Sequence, residues 1–256
     1  TEKSSAEGVV TEIIGHINDP GVDIMSIIKQ FELPGDFPDD VKKQIESIDP
    51  DVIDENSTVG RDDYRDILTV TIDGDDSKDF DDAVSVKVLD NGNYELGVHI
   101  ADVSHYVQEH TALDKEAYER GTSVYLVDRV IPMLPHTLSN GICSLNQGED
   151  RLTLSCIMKI DGKGNIVDHR IAESVINVDR RMSYVNKIIT LKDPDKTEEY
   201  KEFVQLFFDM KAVADLLRAK RRKRGSIDFD FPETKVILDT QGHPVEIKPY
   251  DRNPAT

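Results

Sequence analysis

Six aspartates fall within ten residues, Asp73 to Asp82, and an apolar, strand-patterned run stands on each side of them. Residues 66–72 set Ile67, Thr69 and Thr71 against Leu68, Val70 and Ile72 with period two, and residues 83–88 resume the apolar pattern. Two carboxylates ~4 Å apart repel by about 1 kcal/mol in water and by several times more beside a protein surface. A loose acidic loop would spread to avoid that cost. Here strands hold both ends, and Phe80 puts one apolar anchor among the acids. The fold must therefore leave some of these acids protonated or supply a divalent cation. Oxygen ligands with no His or Cys near in sequence favour Mg²⁺ or Mn²⁺ over zinc. An EF-hand is excluded, because Lys78 stands where its glycine is required and Val84 where its bidentate Glu is required. Carboxylates that hold such an ion and leave positions open are what phosphodiester hydrolysis needs.

The strands belong to an α+β plan. Asn91-Gly92 separates residues 83–88 from residues 94–100, the pairing expected of a type I′ hairpin. Residues 152–160 and 166–172 flank a second turn, and residues 234–238 and 245–247 a third, so antiparallel pairing dominates. Helices are expected over residues 113–120, stopped by Gly121, and over residues 198–224, stopped by Gly225. The second has Phe203, Leu206, Phe207, Met210, Val213, Leu216 and Leu217 on one face, with Asp195 and Glu198 as a capping pair. Residues 1–62 are acidic and broken by Asp19-Pro20-Gly21, Pro34-Gly35 and Asp49-Pro50, with a strand candidate over residues 8–16 and a helix over 22–31. They read as the end of a preceding domain plus linker helices, and residues 63–256 as the next domain. A start at Thr1 and an end just past Asn253-Pro254 suggest an excised piece.

Charge carries a further constraint. The chain has 31 Lys and Arg against 50 Asp and Glu, a net −19, which by itself opposes a polyanionic partner. The acidity is not uniform, however: residues 218–224 hold six cations in seven positions. That run ends a helix, where cations complement the dipole, but six exceed what capping needs. A solvated helix end and a contact with the phosphates of a polyanionic partner, through Arg221 and Arg222, both remain open readings. No run approaches the roughly 18 apolar residues of a membrane span, so a soluble, cytoplasmic protein is expected. Cys143 and Cys156 fit no metal or disulfide spacing and read as reduced, buried thiols.

Several motifs together carry a family resemblance. The string Leu-Thr-Val-Thr-Ile-Asp-Gly-Asp-Asp-Ser-Lys-Asp-Phe-Asp-Asp-Ala from Leu68 is followed by His99-Ile-Ala-Asp102, by Ile131-Pro-Met-Leu-Pro135 and by Leu138-Ser-Asn-Gly-Ile-Cys-Ser-Leu145. This order resembles the RNB catalytic domain of the ribonuclease II and ribonuclease R family, nearest to its bacterial ribonuclease R members. It runs from about Gly60 to the end, and the preceding part resembles the link from that family's second cold-shock-like domain. The fold implied is the N-terminal portion of an RNB domain, a mostly antiparallel sheet with surrounding helices. The activity implied is processive, metal-dependent 3′→5′ hydrolysis of single-stranded RNA to nucleoside 5′-monophosphates, by a monomer with no membrane attachment. The cofactor implied is Mg²⁺, with Mn²⁺ as the alternative. The family's catalytic and metal-holding acids fall on Asp73, Asp79, Asp81 and Asp82, leaving Asp75 and Asp76 as solvated charges.

The resemblance also places Tyr125 where the family holds the 3′-terminal nucleotide, and Tyr184 and Phe229 along the RNA channel. From the residues alone, Tyr125 between Val124 and Leu126 reads as strand packing, and for Phe229 between Asp228 and Asp230 core packing competes with the channel reading. His99, Asp102 and His105 lack further ligands nearby for a metal site, and His99 and Asp102 read as structural hydrogen-bonding groups. Two rivals stay in view. Asp73-Gly74-Asp75 after an apolar strand approximates the acid pair of a haloacid-dehalogenase-like phosphatase, which requires a parallel sheet. A piece of the family's domain lacking its later arginine segment could also bind RNA without cleaving it.

Overall fold

The computed structural model describes residues 8–74, 77–183, 198–227 and 234–249. In chain order the elements are α1 (Val22–Gln30), α2 (Asp39–Ile45), β1 (Asp62–Asp63), β2 (Val70–Asp73), β3 (Asp82–Val88), β4 (Tyr94–Ala101), α3 (Val103–Tyr106) and α4 (Ala112–Arg120). There follow β5 (Val124–Tyr125), β6 (Val130–Ile131), β7 (Asp150–Ile160), β8 (Ile166–Asn177), β9 (Arg180–Ser183), α5 (Val204–Lys223), β10 (Thr234–Leu238) and β11 (Pro244–Pro249). By contacts they gather into two units, one of Phe37–Glu119 and Leu134–Phe231, the other of Thr1–Asp36, Arg120–Met133 and Pro232–Tyr250.

The first unit is built on a seven-stranded sheet in the order β1-β8-β7-β4-β3-β2-β9. Only the two edge pairings, β1 with β8 and β2 with β9, are parallel; the rest are antiparallel. The strand alternation divides the sheet into two unlike faces. On one, Val70, Met182, Val84, Val86, Leu96 and Val98 receive α5, whose Leu206, Phe207 and Val213 are buried there together with Phe203. Each such side chain removed from water contributes about 1.5–3 kcal/mol, which explains why the 3.6-residue apolar stripe settles as a helix on this face. The helix opens with a 3₁₀ segment, Glu198–Phe203, rather than a regular first turn, and Asp195 lies outside the described residues.

The opposite face is polar. His99 is fully buried, with Nδ1 2.6 Å from Ser155 Oγ and Nε2 3.1 Å from Ser85 Oγ. Ser155, Ser174 and Thr153 continue the hydroxyl row. Gly97 makes it possible, since a Cβ there would lie 2.3 Å from Ser85 Oγ and 2.8 Å from His99 Nε2. Beside this row, Asp102 accepts from Arg61 Nη2 at 2.6 Å, a pair almost wholly buried. Desolvation pushes Asp102 upward, but hydrogen bonds from Ser104 and Arg61 outweigh it and hold the carboxyl below its usual range. An apolar cluster completes the layer, with Phe80, Ala83, Ala101, Leu113, Leu138 and Ile142 at its centre.

Two expectations about local structure are corrected. Residues 8–16 form no strand; Val9, Val10 and Ile13 are exposed, and among the described residues no strand pairs with this segment. An apolar run becomes a strand only where a neighbour takes its backbone hydrogen bonds. The turn after β3 is not type I′. Gly92 N donates to Leu89 O, only Gly92 has positive φ (79°), and Asn91 uses its side chain to accept from Asn93 N. The β7–β8 turn is built likewise, with Gly164 at φ 76°.

In the second unit, β5 pairs with β6 and β10 with β11, and Arg120 donates to Gly35 O, joining two of its three segments, and to Pro132 O within its own. Cys143 is buried and Cys156 half-buried, both as free thiols. Among the described residues no helix is long and apolar enough to cross a membrane.

Burial lowers the His99 pKa from 6.5 to about 4, so the ring is neutral in the fold and gains a proton more readily when unfolded. The unfolded state therefore binds more protons between those values, and stability falls as pH drops from about 6.5 to 4, by roughly 3 kcal/mol. Urea midpoints at pH 7 and pH 4.5 should show this loss, and His99→Gln should flatten it. An equally steep loss in the variant would clear His99 of the effect.

Candidate metal centre

The acidic loop joins β2 to β3, and three backbone anchors shape it. Phe80 N donates to Ser144 Oγ at 3.1 Å, and Phe80 O accepts from Leu145 N at 2.8 Å. Asp81 O accepts from Ala101 N at 2.9 Å. Phe80 itself is buried in the apolar cluster, so the residue flanked by acids is the one fixed most firmly. The segment that holds it is pinned in turn by Arg151, a fully buried guanidinium donating to Ser144 O at 2.8 Å, to Asp51 O at 3.1 Å and to the Glu149 carboxylate. The sequence marks Phe80 as the apolar anchor, but its backbone partners were not visible there, because Ser144 and Phe80 are 64 residues apart.

Of the four expected acids, Asp73 and Asp79 are half-buried, and Asp81 and Asp82 face solvent. Asp73 is raised above the usual carboxylate range, first by desolvation and then by repulsion from Asp82, Asp81 and Asp79, with Arg181 opposing. Asp81 is also raised, by desolvation and by the charges of Asp79 and Asp82. The four carboxylates are thus electrostatic neighbours. As they stand, no three His, Cys, Asp or Glu side chains among the described residues form a group that could hold a metal ion. The donor set nevertheless fits a divalent ion in one specific respect. Asp73 Oδ2 is buried with no hydrogen-bond partner, beside Thr71 Oγ1 in the same condition on the same strand face. A buried carboxylate oxygen left unpaired is costly, and a cation at that point would satisfy it. Mg²⁺ characteristically takes only one or two carboxylates and completes its shell with water and substrate phosphates, so an open arrangement suits it.

Sequence reasoning missed Arg181 altogether. It lies on β9 in parallel register with Thr71, donates to Ser77 O at 3.0 Å and sits over the Phe80 ring at 4.5 Å.

The remaining expected residues are dispersed. Tyr125, on β5 opposite Val130, is 68% exposed, so it is not packed into a core as the strand pattern alone suggested. Tyr184, Phe229, Asp75 and Asp76 lie outside the described residues. Arg221 and Arg222 are exposed at the end of α5. Lys220 Nζ donates to Gly164 O there, in the β7–β8 turn, whereas Asp82 begins β3 at the other end of the sheet. Six strand steps of about 3.3 Å put roughly 20 Å between the basic run and the acidic loop. His99 and Asp102 are structural, as expected from their spacing. The mostly antiparallel sheet removes the phosphatase reading, which needed a parallel one.

Comparison with known proteins places these observations. A family model described as RNB domain matches residues 61–256, and one described as Cold shock domain matches residues 1–38. Ribonuclease R 1 of Lactococcus lactis is 50% identical over 248 residues, 96% of this chain and 30% of that protein. Ribonuclease R of Thermotoga maritima is 51% identical over 249 residues, 96% of this chain and 35% of that protein. Among solved structures, Mycoplasma genitalium RNase R in complex with double-stranded RNA superposes with a TM-score of 0.87 at 30% identity, over 95% of this chain and 43% of that one. The chain therefore spans about a third of the length of the curated relatives it matches.

The anchoring of the loop is testable. Ser144→Ala should leave the buried Phe80 N–H without its acceptor, costing about 1–3 kcal/mol. Denaturant midpoints should fall, and amide hydrogen exchange at Phe80 should accelerate selectively. Unchanged exchange at that amide would mean that the loop is held by other contacts.

Proposed function

The chain belongs to the RNB-domain family, whose model matches residues 61–256, and from that premise we propose that the protein containing it is a 3′→5′ exoribonuclease dependent on a divalent metal. Its substrate is single-stranded RNA, degraded processively to nucleoside 5′-monophosphates in the cytoplasm by a monomer. One observation carries the reading: four carboxylates are confined to one anchored loop, and one of them buries an oxygen, Asp73 Oδ2, that has no partner. The relatives named ribonuclease R, and the RNA-bound solved structure, support RNA as the polymer.

Asp73, Asp79, Asp81 and Asp82 would hold Mg²⁺, or Mn²⁺ in its place. When bound, the ion activates a water and offsets charge on the leaving oxygen. The protein's own contribution is to fix the acids before RNA arrives. Phe80 anchors the centre of the loop and Ala101 holds the backbone at Asp81, so the mutually repelling carboxyls of Asp73 and Asp81 stay where a cation would relieve the repulsion. Tyr125 has the exposure needed to stack on a terminal base, a contact of about 1–3 kcal/mol that is indifferent to sequence. Tyr184 and Phe229 are assigned to contacts with the same RNA by the family pattern alone. Arg221 and Arg222, remote from the acids, attract RNA through its phosphates without reading its sequence.

A ribonuclease assay on the full-length protein, with 5′-labelled and with 3′-labelled single-stranded RNA, tests this. The expected result is progressive loss from the 3′ end, with turnover reduced by orders of magnitude in Asp81→Asn while RNA binding persists. In the same assay Tyr125→Ala should lengthen the end product. Binding without hydrolysis in the parent would favour the non-catalytic reading, and full turnover in Asp81→Asn would remove that residue from the mechanism.

A further inference from the structure

Resting on the hydrolytic reading above, we infer that Arg181 is a positioning residue, one that fixes the Ser77–Phe80 part of the acidic loop against β2 so that Asp73 and Asp79 can share one divalent ion. Three contacts define its place. In the parallel pairing of β2 with β9, Thr71 stands beside Arg181 and Asp73 beside Ser183, so Arg181 shares a sheet face with Thr71 and Asp73. Met182, one residue on, points the other way into the α5 cluster and locks that orientation. The Arg181 guanidinium then donates to Ser77 O at 3.0 Å and lies 4.5 Å over the Phe80 ring. Its backbone N donates to Gln147 Oε1 at 3.1 Å, and Gln147 stands two residues after Leu145, which with Ser144 binds the Phe80 backbone. One short segment therefore fixes both the arginine and the loop residue it covers.

Charge balance alone does not account for this geometry. A lysine would supply the same charge, but it has no planar fork to bond a carbonyl while stacking on a ring. What the guanidinium adds is order, which lowers the entropy cost of gathering the acids when an ion arrives. Its charge acts in the opposite sense, because a cation near the site repels an incoming cation. Geometry and charge therefore predict opposite effects of substitution.

The test uses Mn²⁺ as the probe, with free Mn²⁺ measured by electron paramagnetic resonance on the full-length protein without RNA. Arg181→Lys and Arg181→Gln should each weaken Mn²⁺ binding by about tenfold or more, the loss typical when a group supporting metal ligands is removed. Thermal melting should stay cooperative, and kcat should fall in parallel. Parent-like Mn²⁺ affinity in Arg181→Lys, or tighter binding in Arg181→Gln, would overturn the assignment, as would loss of the melting transition in Arg181→Lys. Asp79→Asn separates the two levels. If it weakens Mn²⁺ binding and the Arg181 variants do not, only the positioning role fails. If it leaves Mn²⁺ binding unchanged, the ion is not held here and both readings fail.

Discussion

Like charges held close together are the constraint on which the rest of this structure depends. Six aspartates in a ten-residue stretch would separate if the backbone allowed it, and the protein answers chiefly with backbone restraint, Arg181 adding counter-charge at Asp73. Phe80 is buried among them, its N–H and C=O both taken by the Ser144–Leu145 segment, which a fully buried Arg151 holds in turn. Repulsion and desolvation then appear where the backbone cannot relax, as the raised pKa values of Asp73 and Asp81. Under the proposed function a divalent cation would relieve that repulsion, because one ion offsets several charges at once.

The layers of the sheet serve the same end. Its α5 face is an ordinary apolar interface. Its other face combines a buried hydroxyl row around His99, the Arg61–Asp102 pair and the cluster around Phe80. Such a face is costly unless its polar groups are paired, and the His99 row and the Arg61–Asp102 pair are, whereas Thr71 Oγ1 and Asp73 Oδ2 are not. The gain is rigidity directly beneath the β2–β3 connection, where the acids stand. The basic end of α5 is kept about 20 Å away along the strands, so the charge segregation seen in the sequence is also a segregation in space.

Much of this fold was legible in the sequence. The central strands, the β7–β8 and β10–β11 hairpins and the apolar stripe of α5 depend on periodicities of two and 3.6 and on turn glycines, all of them local signals. The acidic loop was legible too, since its composition and its flanking strands are contiguous. What stayed hidden depends on distant partners. Arg181 meets Ser77 across 104 residues and Ser144 meets Phe80 across 64, and no spacing rule reports such pairs. Residues 8–16 misled because apolar composition does not create a strand partner. Asn91-Gly92 misled because the turn needs positive φ only at Gly92, with Asn91 contributing a side-chain acceptor instead.

Crystals of the full-length protein grown with Mn²⁺ test the central claim most directly, through the anomalous scattering of the ion. The account predicts an anomalous peak bound by Asp73 Oδ2 and by carboxylates from among Asp79, Asp81 and Asp82, with the Phe80 backbone still held by Ser144 and Leu145. A peak elsewhere in the protein, with the four acids unliganded and Asp73 Oδ2 still unpartnered, would contradict it.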